Sequence, residues 1–320
     1  MKCYCSTTKE AKVAKSSNNP ASGTEARDNN FQDLAQRSGP DIMAAILTGQ
    51  YRAVDAARAA IPEIDHAVQE ALARLSGGDG RLIYTGAGTS GRLGALDGAE
   101  LPPTFSWPIE RVRLLMAGGE KAITRSVEGA EDDQDAASAA VAKMGITNSD
   151  VVIGIAASGT TPFTRQVLRL ARKNGALTIA IANNPAAPML GDADISILLE
   201  TGPEVLAGST RLSAGTSQKI ALNLFSTSLM IGMNKIYQGH MVDMVASNDK
   251  LQKRAVKIVC DITGCGGATA TRALNACNFE IKLAILFVHG VEPAPAREML
   301  ALNGGNLAKV IAQVSKSNPS

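Results

Sequence analysis

Arg81-Leu-Ile-Tyr-Thr-Gly-Ala-Gly-Thr-Ser-Gly-Arg-Leu-Gly-Ala-Leu-Asp-Gly-Ala-Glu100 reads as a strand that feeds a glycine loop and then a helix. Leu82-Ile83-Tyr84 is a short run of strand formers just after the breakers Gly77-Gly78-Asp79-Gly80. Gly86, Gly88 and Gly91 let the backbone turn tightly and approach a ligand with no Cβ in the way. Thr89 and Ser90 add hydroxyls, and a helix is expected to begin near Gly91-Arg92. A polar glycine loop at a helix N-terminus suits an anion, because free N–H groups and the helix dipole point at it. Gly88, Thr89 and Ser90 are therefore the first candidate ligands; the plainer alternative is a tight strand-to-helix turn that binds nothing.

The loop also matches G-x-G-x-x-G at Gly86, Gly88 and Gly91. A dinucleotide site needs in addition an acidic residue about 20 positions on, at the end of the second strand, to hold the ribose. The next strand candidate, Val112-Arg-Leu-Leu-Met116, ends in Ala117-Gly118-Gly119, and Glu120 arrives late. The pattern weighs against a nicotinamide cofactor.

Downstream, the design repeats. Val151-Val-Ile-Gly-Ile155 is a continuous apolar strand, Ala156-Ala-Ser158-Gly159-Thr160-Thr161-Pro162 is a hydroxyl-rich loop, and a helix is expected over 163–174, closed by Gly175. Pro162 suits a first helical turn. Further strands fall at 177–182 and 195–199, and helices at 121–143 and 216–235. Upstream, residues 41–75 carry apolar residues at helical spacing and read as two helices broken near Pro62. Strands alternating with helices imply a parallel sheet, and fully apolar strands imply that both faces are covered. The fold expected is a doubly wound α/β sandwich over residues 24–249. Beyond residue 249 the pattern turns wholly helical, with breaks at Thr263-Gly264, Asn278 and Val291-Glu292-Pro293, which predicts a small helical unit over 250–312.

Composition agrees with this class. Of 320 residues 45% are apolar and only 3% aromatic, so the core must be aliphatic, as α/β layers allow. A net charge of +2 without a basic stripe argues against nucleic acid. Cys3, Cys5, Cys260, Cys265 and Cys277 are odd in number and scattered, which fits a reducing compartment, and neither they nor the histidines form a metal-ligand spacing. No apolar run is long enough to span a membrane, so a cytoplasmic protein is expected. Residues 1–23 are Lys-, Ser- and Thr-rich with few large apolar groups and read as a disordered tail.

The two loops, Gly88-Thr-Ser90 and Ser158-Gly-Thr-Thr161, resemble those of the sugar isomerase (SIS) domain, a flavodoxin-like fold that holds phosphosugars. A narrower likeness is carried by Gly86-Ala-Gly-Thr-Ser-Gly-Arg-Leu-Gly94, Glu100-Leu-Pro-Pro-Thr104, Ala117-Gly-Gly119, Val127-Glu-Gly-Ala-Glu-Asp132, Ala214-Gly-Thr216 and Gln218-Lys219. Over roughly residues 24–312 the chain resembles the N-acetylmuramic acid 6-phosphate etherases. That resemblance implies cleavage of a lactyl ether to N-acetylglucosamine 6-phosphate and D-lactate in cell-wall recycling. It also implies no metal or redox cofactor, and a homodimer with sites near the subunit interface.

Such chemistry needs a base to take the C2 proton of the open-chain sugar and an acid to protonate the leaving lactyl oxygen. The resemblance makes Glu100 the acid and Glu131 the base. Taken alone, Glu100 is equally a helix-end charge, and Glu131 sits in a charge run with Glu128, Asp132 and Asp133. Glu128 lies three residues before Glu131 and would share its helical face. For the phosphate, Ser90, Ser158, Gly159 and Thr161 are candidates, against the alternative that both serines merely cap helices. Arg92 and Arg211 could neutralise phosphate or lactate carboxylate. Glu204 and Ser209, in Gly-Pro-Glu and Gly-Ser-Thr-Arg, complete the set, with a substrate-hydroxyl or structural role expected of Glu204. Thr160 and Ser213 stand where the etherases often carry arginine and lysine. Two other classes share these loops: a phosphosugar-sensing SIS regulator without turnover, and an SIS aldose–ketose isomerase.

Overall fold

The computed structural model describes residues 23–317, so the tail expected over 1–23 lies, but for Gly23, outside the described residues. The chain enters through two helices, α1 (Gly39–Ala59) and α2 (Ile61–Leu75), with Pro62 in the first turn of α2. Ile64, Ala67, Val68, Ala71 and Leu75 are the buried stripe of α2, at helical spacing. There follow β1 (Leu82–Gly86), α3 (Gly88–Phe105), β2 (Val112–Met116), the one-turn α4 (Lys121–Thr124), α5 (Gln134–Met144), β3 (Val151–Ala156) and α6 (Pro162–Lys173). β4 (Leu177–Ala182), the short α7 (Pro188–Asp192), β5 (Ile195–Leu198) and α8 (Ser213–Gly232) complete the α/β body.

The five strands pair only in parallel, in the order β2-β1-β3-β4-β5. Alternation along each strand sends side chains to opposite faces. Tyr84, Ile153 and Ile179 meet Val68 and Leu75 of α2 and Phe225 and Leu229 of α8. Ile83, Val152 and Ala180 meet Val141 of α5 and Phe163, Val167 and Leu168 of α6. Each large side chain so buried contributes on the order of 1.5–3 kcal/mol, and both faces are dry, as the apolar strands require.

After α8 a small hairpin, β6 (Ile236–Tyr237) and β7 (His240–Met241), turns through Gln238 and Gly239, both at positive φ. Five helices follow: α9 (Asp249–Thr263), α10 (Gly267–Ala276), α11 (Ile281–Val288), α12 (Pro293–Leu302) and α13 (Leu307–Ser317). They close a core of their own around Ile258, Leu274, Leu286, Leu300 and Val310. Lys282 ties that core to the body, donating to the Asp243 carboxylate (2.7 Å) and to the carbonyl of Asn234 (2.8 Å).

Three expectations are corrected. α3 starts at Gly88, a turn earlier than expected, because Gly88 takes φ +52 and enters the helix directly from the loop. The stretch 121–143 is not one helix. α4 stops after one turn, Arg125 is extended, Gly129 takes φ +70, and Asp133 starts α5 afresh by accepting from the N–H of Ala136 (2.8 Å). α13 and the hairpin were not expected, and α8 begins at Ser213 rather than 216.

Candidate active site

In the order β2-β1-β3-β4-β5 the chain leaves β1 toward one edge and β3 toward the other, so the topological switch point falls between them. Ligands of open α/β sheets bind at the carboxyl ends of the strands at such a point. The two hydroxyl loops rise there side by side.

The first loop is a backbone crossing that only glycine permits. A Cβ on Gly86 would lie 2.8 Å from the Gly91 nitrogen and 2.9 Å from the Ile155 carbonyl oxygen, and one on Gly91 would lie 2.8 Å from the Gly86 oxygen. Gly88 is exposed, Thr89 half-buried and Ser90 buried in the first turn of α3, whose N-cap residue, Ala87, supplies no side-chain acceptor. In the second loop the Ser158 hydroxyl accepts from the Thr160 N–H (3.2 Å) and lies 3.0 Å from the Thr160 hydroxyl. Gly159 takes φ +67, with Ala187 packed where its side chain would be. Thr161 precedes α6 without a side-chain cap bond. Both helices therefore present N–H groups that no side chain of their own N-cap satisfies.

The segment after β2 closes over the first loop. It forms a cavity of about 360 Å³ lined by Gly88, Arg92, Arg125, Glu128 and Glu131 among others. Glu131 is exposed on a 3₁₀ turn, Ala130–Asp132, and Glu128 lies in the loop before Gly129, so the two share the cavity but not a helix face. The Arg92 guanidinium does not face the cavity as a free cation. Its Nε donates to the carbonyls of Ala122 (3.1 Å) and Ile123 (3.0 Å), and a terminal nitrogen donates to that of Arg125 (3.1 Å).

Glu100 stands elsewhere. It is exposed on α3 twelve residues beyond Gly88, about 18 Å along the axis at 1.5 Å per residue. Ser209 and Arg211 belong to the turn before α8, which meets the first loop where Gly215 packs on Thr89. Of the two roles expected of Glu204, substrate-hydroxyl or structural, its contacts are of the structural kind. It is fully buried, and its two carboxylate oxygens accept from the N–H groups of Ser213 and Ala214, each at 2.9 Å, at the start of α8. Burial forces that pairing, since a carboxylate taken from water needs donors.

One polar residue escaped the sequence reading. Asp97 is buried, accepts from the hydroxyls of Tyr84 (2.7 Å) and Ser226 (3.1 Å), and so ties β1, α3 and α8 together. Burial pushes its carboxyl above the ordinary 3.8, against the hydrogen bonds from the two hydroxyls and the charge of Lys219. Gly94 and Gly98, which leave room for the Tyr84 ring, were the signal that α3 rides close to β1. Among the described residues no group of three or more His, Cys, Asp or Glu is placed to hold a metal ion, and no helix is long and apolar enough to cross a membrane.

Sheet order and paired loops define an SIS-domain protein, and the family comparisons agree. Residues 134–228 match the SIS domain, and residues 63–172 match the glucokinase regulatory protein N-terminal SIS domain. A solved phosphoheptose isomerase from Francisella tularensis is 16% identical in sequence, with a TM-score of 0.44, covering 61% of this chain and 98% of that one. Relatives named N-acetylmuramic acid 6-phosphate etherase are far nearer. That of Deinococcus radiodurans is 45% identical over 291 residues, 91% of this chain and 95% of its own length. That of Salmonella agona is 44% identical over 285 residues, 89% of this chain and 96% of its own. The chain belongs to the N-acetylmuramic acid 6-phosphate etherase family.

Proposed function

We propose that the protein cleaves the D-lactyl ether of N-acetylmuramic acid 6-phosphate, giving N-acetylglucosamine 6-phosphate and D-lactate, in the recycling of cell-wall peptidoglycan in the cytoplasm. The phosphate lies between Gly88-Thr89-Ser90 and Ser158-Gly159-Thr161, with Ser209 and Arg211 beside the first loop. Glu131 takes the C2 proton of the open-chain aldehyde, Glu100 protonates the departing C3 oxygen, and water then adds to the unsaturated aldehyde. No metal or nicotinamide enters these steps, so a chelator leaves the rate unchanged.

Glu100 is too far along α3 to serve its own chain's cavity, and in this reading a second copy supplies it. α8 packs against both α1 and α3, and all three helices carry exposed large apolar side chains. Met43, Leu47 and Tyr51 of α1 are 70%, 55% and 65% exposed, Leu224 of α8 and Leu96 of α3 are exposed too, and Leu96 lies four residues before Glu100. A homodimer formed on these helices buries those side chains and brings Glu100 to the subunit boundary.

The observation that carries this reading is the identity of 45% across 91% of the chain, a span that includes both glutamates. Incubation with N-acetylmuramic acid 6-phosphate should release free D-lactate; intact substrate after prolonged incubation would overturn the reading. The match of residues 63–172 to the glucokinase regulatory protein favours one rival, a sensor that holds sugar phosphate without turnover. Saturable binding with no lactate would establish that rival.

A further inference from the structure

We infer that Arg92 is a positioning residue that holds the Glu131 segment over the first loop, and that it does not bind the substrate's anion. The inference rests on the etherase reading for the role of Glu131, and on this structure for the clamp. α4 is a single turn, and such a helix leaves its last carbonyls without intrahelical donors. Within it Glu120 and Lys121 are served by the N–H groups of Ile123 and Arg125. The carbonyls of Ala122, Ile123 and Arg125 remain, and Arg92 reaches all three at 3.0–3.1 Å. The guanidinium fork can do this because its donors are fixed in a plane; a lysine ammonium on a flexible stem offers no such span. Its positive charge at the carboxyl end of a helical turn is also favourable there.

The consequence runs along the chain. Arg125 is the last residue Arg92 holds, and only five residues lie between it and Glu131. Gly118 packs beneath Val127, where a side chain at 118 would come within 2.9 Å of the Val127 Cβ, so the middle of the segment is seated as well. Arg92 itself stands on α3, one turn from Gly88. The residue that shapes the loop for the phosphate and the residue that fixes the base thus ride on the same helix. The cation left to the anion on this side of the cavity is Arg125, whose guanidinium has no hydrogen-bond or ion-pair partner among the described residues.

The test compares Arg92→Lys, Arg92→Gln and Arg125→Gln with the parent. The readouts are lactate release, C2 deuteration in D₂O, competitive inhibition by inorganic phosphate, and amide exchange over residues 121–131. Misplacing a base by about 1 Å costs on the order of 10²-fold. Arg92→Lys and Arg92→Gln should therefore lose on the order of 10²-fold in kcat. C2 deuteration should fall in step, phosphate inhibition should not change, and the amides of 121–131 should exchange faster. Arg125→Gln should instead raise KM and weaken phosphate inhibition with kcat kept. If Arg92→Gln weakens phosphate inhibition while kcat holds, Arg92 is an anion ligand and the inference fails. It fails equally if amide exchange over 121–131 is unchanged. Amide exchange needs no turnover, so it tests the clamp even if the parent releases no lactate, which would count against the etherase reading alone.

Discussion

If Glu131 is the base and Glu100 the acid, Glu100→Gln and Glu131→Gln should fail in different ways, because they remove different proton transfers. Without the acid, the base still forms the carbanion, so Glu100→Gln should exchange the C2 hydrogen with D₂O while releasing no lactate. Without the base neither event occurs, and each loss should be on the order of 10²-fold or more. Following deuteration and lactate together in both variants decides the roles; exchange at the parent rate in Glu131→Gln would move the base to Glu128, which lines the same cavity. At this scale the sequence was legible in residue type and only partly in role. The motifs singled out Glu131, Arg92 and Glu204 as functional, but Arg92 and Glu204 have backbone partners. A carbonyl thirty residues away or an N–H at a helix start leaves no mark on side-chain pattern. Asp97 was invisible for the same reason, its partners Tyr84 and Ser226 being 13 and 129 residues distant.

Strands and their loops could be read at once, since runs such as Val151-Val-Ile-Gly-Ile155 are apolar throughout and only a sheet covered on both faces accounts for that. The failure over 121–143 has a definite cause. Its alanine-rich composition keeps helical spacing, and the interruption lies in backbone turns that composition does not mark: Arg125 is extended, Gly129 takes a positive φ, and Asp133 caps a new helix. The crossing of Gly86 and Gly91 yields a prediction about the first loop. Gly91→Ala places a methyl 2.8 Å from a backbone oxygen and should cost about 1–3 kcal/mol, read as a lower urea midpoint. A second prediction concerns the ion pair that joins the entrances of β1 and β3. Burial pushes the Asp150 carboxyl up, but the Arg81 guanidinium and the N–H groups of Thr147 and Arg81 outweigh it and hold the carboxyl below the ordinary 3.8. A carboxyl more acidic folded than unfolded stabilises fully above pH 3.8 and loses that contribution as pH falls through the lower folded value. Asp150→Asn should then cost about 3 kcal/mol at neutral pH, with the gap from the parent closing only in that acid range.

For the whole molecule the sharpest prediction is complementation. If each site takes Glu100 from one copy and Glu131 from the other, co-expressed Glu100→Gln and Glu131→Gln chains recover roughly a quarter of parent activity. Half the pairs are mixed, and each mixed pair holds one sound site. No recovery would place both glutamates in one chain's site or refute the pairing. Tyr51→Glu, in the middle of the exposed α1 patch, should give a monomer by sedimentation and abolish lactate release. Composition and helical spacing foretold apolar faces beyond what one sheet needs. They could not foretell which exposed side chains share a surface with Glu100, because that depends on how α8 packs with both α1 and α3.

Three helices start around the two hydroxyl loops, α3, α6 and α8, and of these α8 alone begins on a carboxylate of its own chain. Glu204 is in effect a built-in ligand, present at unit stoichiometry and independent of concentration. Sulfate or phosphate titrated into the protein meets two receptive helix starts and a third already neutralised. The start of α8 is thus held by its own chain's carboxylate whether the crevice is empty or full.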